Sequence, residues 1–204
     1  MLTQNAKRAN FNEDLREQLP SATNELEQRR HLDFAAYRGR PVGAYANPAS
    51  FSNMEELHSI AVDRIGSQVA PLETIVRIQR HNHNSIWSFH SESKLIGGVA
   101  LLYLNTYGLY RLLNGRLDLA EPQAECLCRD GKTPKAIYCW ALVANGRGIL
   151  GALDVMRWLQ TPTYRKVDIW ASPATKDGQR ALESFGFQPY PFSSTSLYRY
   201  KRFT

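Results

Sequence analysis

A glycine-bearing segment between two apolar runs has the residues of an anion-binding turn. Gly146, Arg147 and Gly148 lie between the apolar run 136–144 and the apolar run 149–159. Glycines allow the backbone to approach a ligand closely, and the start of a helix presents unpaired amides with a partial positive charge. Arg147 adds a full charge, so the segment predicts a phosphate or pyrophosphate site. An ordinary turn between a strand and a helix is the alternative interpretation.

Two common phosphate-binding motifs do not describe this segment. No Lys followed by Ser or Thr comes after the glycines, which excludes a Walker A motif. Gly146, Gly148 and Gly151 lack the chain context of the dinucleotide-binding pattern G-x-G-x-x-G. The Gly-x-Ser-x-Gly pattern of a hydrolase nucleophile is also absent from the sequence. The segment therefore indicates an anionic ligand but does not identify it.

Two further groups of residues have side chains that could bind a ligand. His81, His83 and His90 could suggest a metal site, but no carboxylate or cysteine stands at a suitable spacing, and we favour solvated histidines. The tract 198–203 interleaves aromatic residues with Lys and Arg and could stack on nucleic-acid bases. Its strict alternation instead favours a strand with one buried aromatic face. We therefore predict no metal site.

The elements that must position the glycine segment alternate between strand and helix patterns. The run 136–144 is almost wholly apolar and predicts a buried central strand, and the run 149–159 has the length of a buried helix. The next predicted elements are a strand at 167–171, a helix that starts at Ser172-Pro173 and ends at Gly186, and a strand at 197–203. This order predicts an α/β organisation around one sheet.

The region before the insert reads as a helix followed by an antiparallel meander. Ser52 opens a Ser-x-x-Glu capping box before an amphipathic helix at 53–65. From 73 to 104 the period changes to that of strands, beginning with the alternating Val76 and Ile78. A meander of antiparallel strands is the simplest interpretation of this stretch.

Length and composition indicate one main domain with a polar arm. The chain has 204 residues, a formal net charge of +6 and a pI of about 9.3, so its surface should attract anions. Residues 1–51 are the polar arm, with a predicted helix at 21–37. Residues 52–204 are the main domain, in which 105–135 is an insert with a short helix at 109–113.

The sequence supports neither a signal peptide nor a transmembrane helix. No apolar stretch reaches the length of about 18 residues that a membrane span requires. Three cysteines are too few, and odd in number, for a disulfide framework, which suits a reducing compartment. We expect a cytoplasmic protein with no membrane partner.

The glycine segment and its flanks resemble the GCN5-related N-acetyltransferase (GNAT) superfamily. The family signature places Gln/Arg-x-x-Gly-x-Gly/Ala between the fourth strand and a long helix, and Asn145-Gly-Arg-Gly148-Ile-Leu150 lies on it. Residues 171–175 and 181–187 resemble the fifth strand of the family, the next helix and its terminal Gly-Phe. The resemblance covers about 136–203. It implies an α/β (α+β) fold with a central mixed, mostly antiparallel sheet flanked by helices.

This resemblance implies that the protein binds acetyl-CoA or another acyl-CoA as co-substrate. Leu142, Val143 and Ala144 would offer backbone hydrogen bonds to the pantetheine arm, like an added strand. The residues expected to hold the pyrophosphate are Asn145, Gly146, Arg147, Gly148, Ile149, Leu150 and Gly151. The acyl group would pass by direct attack to an amine acceptor. A small molecule or a protein would supply the amine, and aminoacyl-tRNA or another nucleic-acid-bound amine is a further candidate.

Such a transfer needs a base for the amine, an amide for the oxyanion and an acid for the thiolate. The strand 136–144 contains no carboxylate, so Tyr138 is its nearest proton-exchanging side chain, and Ser172 could orient a water or the thiolate. A core tyrosine with a satisfied hydroxyl is the alternative interpretation of Tyr138. Cys139 could be a nucleophile, although a lone cysteine in an apolar strand usually behaves as a small hydrophobe.

Three positions depart from the family pattern. Asn145 stands at the Gln/Arg position, Leu150 stands at the small Gly/Ala position, and Leu182 stands where many members carry a tyrosine that protonates the leaving thiolate. A longer acyl group, an altered cofactor pose or loss of catalysis would each fit. The second hypothesis is therefore a non-enzymatic relative of the fold, an adaptor or a nucleic-acid-binding protein, which the positive charge also suits.

Overall fold

Seven strands form one sheet in the computed structural model, which describes residues 43–66, 69–144, 148–193 and 195–202. The strands are β1 Tyr45–Pro48, β2 Ile86–Ser91, β3 Lys94–Leu104, β4 Ala136–Ala144, β5 Ile169–Ala171, β6 Gln188–Pro189 and β7 Tyr198–Tyr200. They lie side by side in the order β1-β2-β3-β4-β5-β7-β6. Neighbouring strands are antiparallel except β4 and β5, which are parallel. The sheet is therefore mixed and mostly antiparallel, as predicted.

Five α-helices of the described residues cover both faces of this sheet. They are α1 Phe51–Ile65, α2 Leu72–His81, α3 Thr106–Leu113, α4 Ile149–Trp158 and α5 Lys176–Ser184. On one face Val155 of α4 belongs to the same buried cluster as Phe89 of β2. Met54 of α1 and Ile78 of α2 are buried on the other face. None of these helices has the length and hydropathy needed to cross a membrane.

The predicted order of the last third of the chain is confirmed. β4 has the predicted bounds, and its apolar sequence fits a central strand because β3 and β5 flank it and helices cover both of its faces. The helices and strands α4, β5, α5 and β7 then follow in the predicted order. The short helix expected in the insert is α3. The sheet thus carries β4 and the start of α4 at its centre.

The predicted meander is wrong at its start, because residues 72–81 form α2 rather than a strand. Val76 and Ile78 suggested alternation, but the buried Thr74 and Ile78 are four residues apart and share one face of a helix. Pro71 immediately precedes α2, where its missing N–H costs no helical hydrogen bond. The apolar residues of this stretch therefore follow the helical period.

Two predicted helix starts are also wrong. Ser50, rather than Ser52, caps α1: its Oγ accepts the Asn53 N–H at 3.2 Å, and Asn53 Oδ1 accepts the Ser50 N–H at 3.4 Å. Thr175, rather than Ser172, caps α5, and its hydroxyl accepts a first-turn amide at 3.0 Å. Both caps sit three residues before the amide that they satisfy, as the geometry of a first turn requires.

The ends of the described sheet differ from the sequence-based expectation. β1 lies within the segment assigned to the polar arm and pairs with β2, so the sheet includes residues from Tyr45 onward. The final strand, β7, is shorter than the predicted 197–203 and has the unpredicted β6 on its outer side. The helix expected at 21–37 lies outside the described residues.

Candidate active site

β4 contains a bulge at Trp140, in the middle of the sheet. Ala100 of β3 pairs with Ala141, and the next residue, Leu101, pairs with Cys139, so Trp140 has no residue opposite it. A bulge of this kind bends the strand and increases its local twist. β4 therefore changes direction at Trp140.

β4 continues beyond the end of β5, which is Ala171. Their parallel pairing extends from Ile137 to Cys139 on β4, and no described residue pairs with the rest of β4 on that side. The backbone of an unpaired strand edge can hydrogen-bond an extended ligand as an additional strand. Leu142, Val143 and Ala144, predicted to bind a pantetheine arm, all belong to this open part of β4.

The start of α4 follows the end of β4 after a short connection. Gly148 is the N-cap of α4 and has no side chain that could occupy the first-turn amides. A Cβ on Gly148 would lie 2.9 Å from the carbonyl oxygen of Ile96, so glycine lets this helix start lie close to β3. First-turn amides lack intrahelical partners and attract anions. Ile149 and Leu150 are partly exposed here. Three predicted anion-binding residues, Asn145, Gly146 and Arg147, lie outside the described residues.

Gly151 lies on the buried side of α4. A Cβ on Gly151 would lie 2.3 Å from Cγ of Phe89, which is fully buried. The missing side chain therefore allows α4 to pack closely against β2. Gly151 faces the core, and its backbone N–H is the group that it can offer to an anion.

A cavity of about 100 Å³, which we call cavity A, lies on the side of the sheet that carries α1 and α2. Its lining includes His58 of α1, Ile75 of α2, and Trp140, Ala141 and Val143 of β4. The bulge residue therefore forms part of its wall. A bound molecule in cavity A would lie directly against the open part of β4.

A second cavity of about 60 Å³, which we call cavity B, lies on the opposite face, under α4 and α5. Its lining includes Cys139 and Leu142 of β4 and Leu182 and Phe185 of α5. Burial raises the pKa of the Cys139 thiol to about 12, so the thiol is protonated and weakly nucleophilic at neutral pH. Cys139 therefore has the character of a small hydrophobe, and cavities A and B approach the bulge from opposite faces.

The two hydroxyl residues predicted to move protons lie outside the lining of both cavities. Tyr138 is 3% exposed in an apolar cluster with Leu102 and Trp170, and burial raises the pKa of its hydroxyl well above the usual value. Ser172 donates its hydroxyl hydrogen to the Ser196 carbonyl at 3.0 Å. Tyr138 thus has the surroundings of a core residue, and Ser172 ties together two loops.

His58 was not among the residues singled out in the sequence. Its Nε2 lies 3.1 Å from the carbonyl oxygen of Ala70, and its side chain is partly buried. The helical pattern of α1 contains a signal for this position, because His58 directly follows the buried Leu57 and stands three residues before the buried Ala61. A polar residue on the buried stripe of an amphipathic helix points into the interior.

The sequence's candidate metal site is not assembled in the structure. His83 hydrogen-bonds to Asp130 at 3.3 Å, and His90 to Ser88 at 2.9 Å. Within the described ranges there is no group of three His, Cys, Asp or Glu side chains that could hold a metal ion.

Tyr198 and Tyr200 of the C-terminal tract face the protein. Tyr198 is buried, and Tyr200 packs against the same apolar cluster. Arg199, on the other side of β7, lies over the ring of Trp170 and binds Asp168. These residues fit a strand with a buried aromatic face, so Tyr198 and Tyr200 are not available to stack on nucleic-acid bases.

Several solved structures are similar to this chain in three dimensions. The Ard1 protein of Thermoplasma volcanium matches with a TM-score of 0.50 and 12% identity, covering 80% of this chain and 100% of its own. The loading GNATL domain of CurA from Lyngbya majuscula matches with a TM-score of 0.52 and 11% identity, covering 78% of this chain and 97% of its own. An acetyltransferase of the GNAT family from Streptococcus agalactiae matches with a TM-score of 0.51 and 10% identity, covering 80% and 98%.

No protein-family model and no curated protein sequence matches the chain. The similarity to solved structures nevertheless covers nearly the whole length of each of the three. The chain therefore has the fold of the GCN5-related N-acetyltransferase superfamily, and the low identity makes it a divergent example of that fold. The resemblance on the residues after β4 is confirmed at the level of the fold.

Proposed function

We propose that the protein is an acyl-CoA-dependent N-acyltransferase that passes an acyl group directly from the thioester to an amine. The observation that carries this proposal is the unpaired edge of β4 from Trp140 onward, where β4 continues beyond the end of β5. An extended, amide-bearing arm such as that of an acyl-CoA thioester can hydrogen-bond along such an edge. The acetyltransferase named among the similar structures supports the same class of reaction.

The chain's own residues fit the parts of an acyl-CoA in order. Within Leu142, Val143 and Ala144, the alternate backbone groups that face the open edge of β4 hydrogen-bond the pantetheine amides. Residues 145–151 hold the pyrophosphate, with Arg147 as its cation and the first-turn amides of α4 as its donors. Gly148 supports this fit, because a side chain there would collide with the Ile96 carbonyl at the start of the helix.

The acyl carbon lies near the bulge, between cavities A and B. An amine in cavity A attacks the thioester carbonyl, and a backbone N–H of β4 near Trp140 stabilises the oxyanion. The attacking nitrogen loses a proton to a base, and the carbon–sulfur bond breaks. The thiolate takes its proton from water, because Leu182 has none to give. Cavity B has an apolar lining that suits an acetyl group or a somewhat longer aliphatic acyl group.

Tyr138 and Ser172 have supporting roles in this proposal. The Tyr138 ring packs in the core under the insert. Ser172 fixes the chain after β5 through its bond to Ser196. Neither side chain is proposed to exchange a proton with the substrates.

Calorimetric titration with CoA and acetyl-CoA tests the cofactor. We expect saturable binding by the wild-type protein and roughly tenfold weaker binding by Arg147→Glu. A tenfold change in affinity is of the order expected for the loss of one charge pair. Arg165→Glu is the matched control, because Arg165 is exposed beyond the opposite end of α4. No heat and no thermal shift at millimolar ligand would reject the proposal. Equal affinities for the two variants would remove Arg147 from the site.

A further inference from the structure

The lining of cavity A is almost entirely apolar. Among the described residues, His58 is its one ionisable side chain, and the rest of the lining consists of aliphatic residues, Met54, Gly98 and Trp140. Trp140 also directs its indole N–H to the Leu119 carbonyl rather than to a ligand. A molecule in cavity A would therefore meet one titratable group.

The hydrogen bond to Ala70 fixes the tautomer of His58. A carbonyl oxygen can only accept, so the Nε2 atom, 3.1 Å from the Ala70 oxygen, must carry the hydrogen. The neutral ring then has its lone pair on Nδ1. Ala70 is buried, so the contact holds the ring in place as well as setting its tautomer. Nδ1 is thus prepared to accept a proton.

The charged residues around His58 do not compete with it as proton acceptors in cavity A. Glu55 and Asp63, on the same helix, are exposed, and α2 contributes the apolar Ile75 to the cavity. β3 and β4 contribute apolar side chains to the lining. The described part of cavity A therefore offers no carboxylate to a second cationic group on the acceptor, and burying such a group unpaired would be costly.

We infer that cavity A binds an amine with an apolar substituent and that His58 is the catalytic general base for that amine. The inference rests on the proposed function and names the acceptor class and the base of the same site. His58 Nδ1 takes a proton from the acceptor ammonium, and the nitrogen lone pair so released attacks the thioester carbon. A carbon–nitrogen bond forms, the attacking nitrogen gives its second excess proton to water, the carbon–sulfur bond breaks, and the thiolate is protonated by water. The proton on His58 then returns to solvent.

A pair of acceptors with the same carbon chain tests the substrate class. Release of CoA thiol from acetyl-CoA is followed with butylamine and with putrescine, which differs by a second ammonium group. We expect kcat/KM at least tenfold higher for butylamine. A higher value for putrescine would overturn the assignment of an apolar acceptor.

The variant His58→Gln tests the base. We expect kcat to fall about 100-fold, within the range for loss of a general base, while the Kd of acetyl-CoA changes less than twofold. The pH profile of kcat should also differ between the wild-type protein and the variant. His83→Gln, at an exposed histidine, is the matched control and should retain both rate and profile. An unchanged kcat or an unchanged pH profile in His58→Gln would overturn the assignment of the base.

Direct binding separates this inference from the proposed function. Butylamine should raise the Tm of the wild-type protein without CoA, and a bulky Ala141→Phe side chain in cavity A should remove this shift. If acetyl-CoA fails to bind while butylamine does, the acyl transfer is wrong and the apolar amine site remains. If acetyl-CoA binds and butylamine neither binds nor reacts, the inference is wrong and the cofactor proposal remains.

Discussion

The indole Nε1 of Trp140 donates a hydrogen bond of 2.9 Å to the backbone carbonyl of Leu119. Trp140 is the bulge residue of β4 and a wall of cavity A, and Leu119 belongs to the segment between β3 and β4. The bond therefore connects that segment to the point where the sheet opens. The predicted insert 105–135 thus positions a residue of the candidate site.

Trp140→Phe should affect the acceptor more than the cofactor. The variant keeps an aromatic ring but loses the bond to Leu119, so we expect the KM for the amine to rise and stability to fall by about 1 kcal/mol. The Kd of acetyl-CoA should not change. Trp158→Phe is the matched control, because Trp158 packs on Trp87 on the opposite face of the sheet. Steady-state kinetics measures the KM for the amine, and calorimetry measures the Kd of acetyl-CoA. Equal KM values for the amine in the two variants would contradict the role of Trp140.

Leu182→Tyr should speed release of the thiolate. Leu182 lines cavity B, whose described lining has Cys139 as its one group with an exchangeable proton, and burial raises the pKa of that thiol to about 12. A tyrosine hydroxyl at position 182 would supply an acid to the leaving sulfur. We expect kcat about tenfold above that of Leu182→Phe, which has nearly the same size without the hydroxyl. Equal kcat values would show that thiolate protonation does not limit the rate.

The central strand and the elements after it could be predicted because their patterns are unambiguous. The run that forms β4 is too apolar for any place but the centre of a sheet, and the run of α4 is too long for a strand. The pattern of α2 was ambiguous, since the spacing of Val76 and Ile78 fits a strand until Thr74 is recognised as buried. Ser50 and Ser52 each have a polar residue three positions later, so the sequence does not distinguish them, and the structure has Ser50 as the cap.

The candidate site was only partly predictable. Leu142, Val143 and Ala144 follow from the position of β4, but the bulge at Trp140 depends on pairing with β3 and has no local signal. The role of His58 depends on a carbonyl from the loop after α1, which the helical pattern does not contain. Residues of the candidate site whose roles depend on tertiary contacts could therefore not be predicted from the sequence.

Asp168→Asn should destabilise the fold. One carboxylate oxygen of Asp168 accepts from Arg199 Nε at 2.8 Å, and the other accepts from the Arg202 backbone N–H at 2.8 Å. Loss of the charge weakens both bonds, and we expect a loss of about 2 kcal/mol in the free energy of unfolding. Urea denaturation measures it. Asp177→Asn breaks the exposed ion pair with Arg180 and should have no measurable effect, so similar losses in the two variants would count against this account.

Stability should fall with pH below 6.5 in a manner that depends on His81. Burial, and then Arg129 and Arg77, hold the pKa of His81 below its usual value of 6.5. Its Nε2 is buried without a hydrogen-bond partner among the described residues. As pH falls from 6.5, His81 takes up a proton in the unfolded chain before it does so in the folded protein. The stability that neutral His81 contributes above pH 6.5 is therefore lost as pH falls toward the lower pKa that His81 has in the folded state.

The variant His81→Gln should flatten this dependence. Urea midpoints measured between neutral and mildly acidic pH should fall less for the variant than for the wild type. His83→Gln is the control, because His83 is exposed, and its profile should follow that of the wild type. Parallel profiles for His81→Gln and wild type would exclude His81 as the source.

The short pairing of β4 with β5 has a consequence for ligand binding. In the described residues, the register from Ile137–Ile169 to Cys139–Ala171 joins strands β1 to β4 with strands β5 to β7. A ligand bound beside β4 beyond this register would contact both groups of strands. Because it would bind the folded state, it would raise the stability of that state by mass action. Occupation of this site should therefore raise the Tm of the protein.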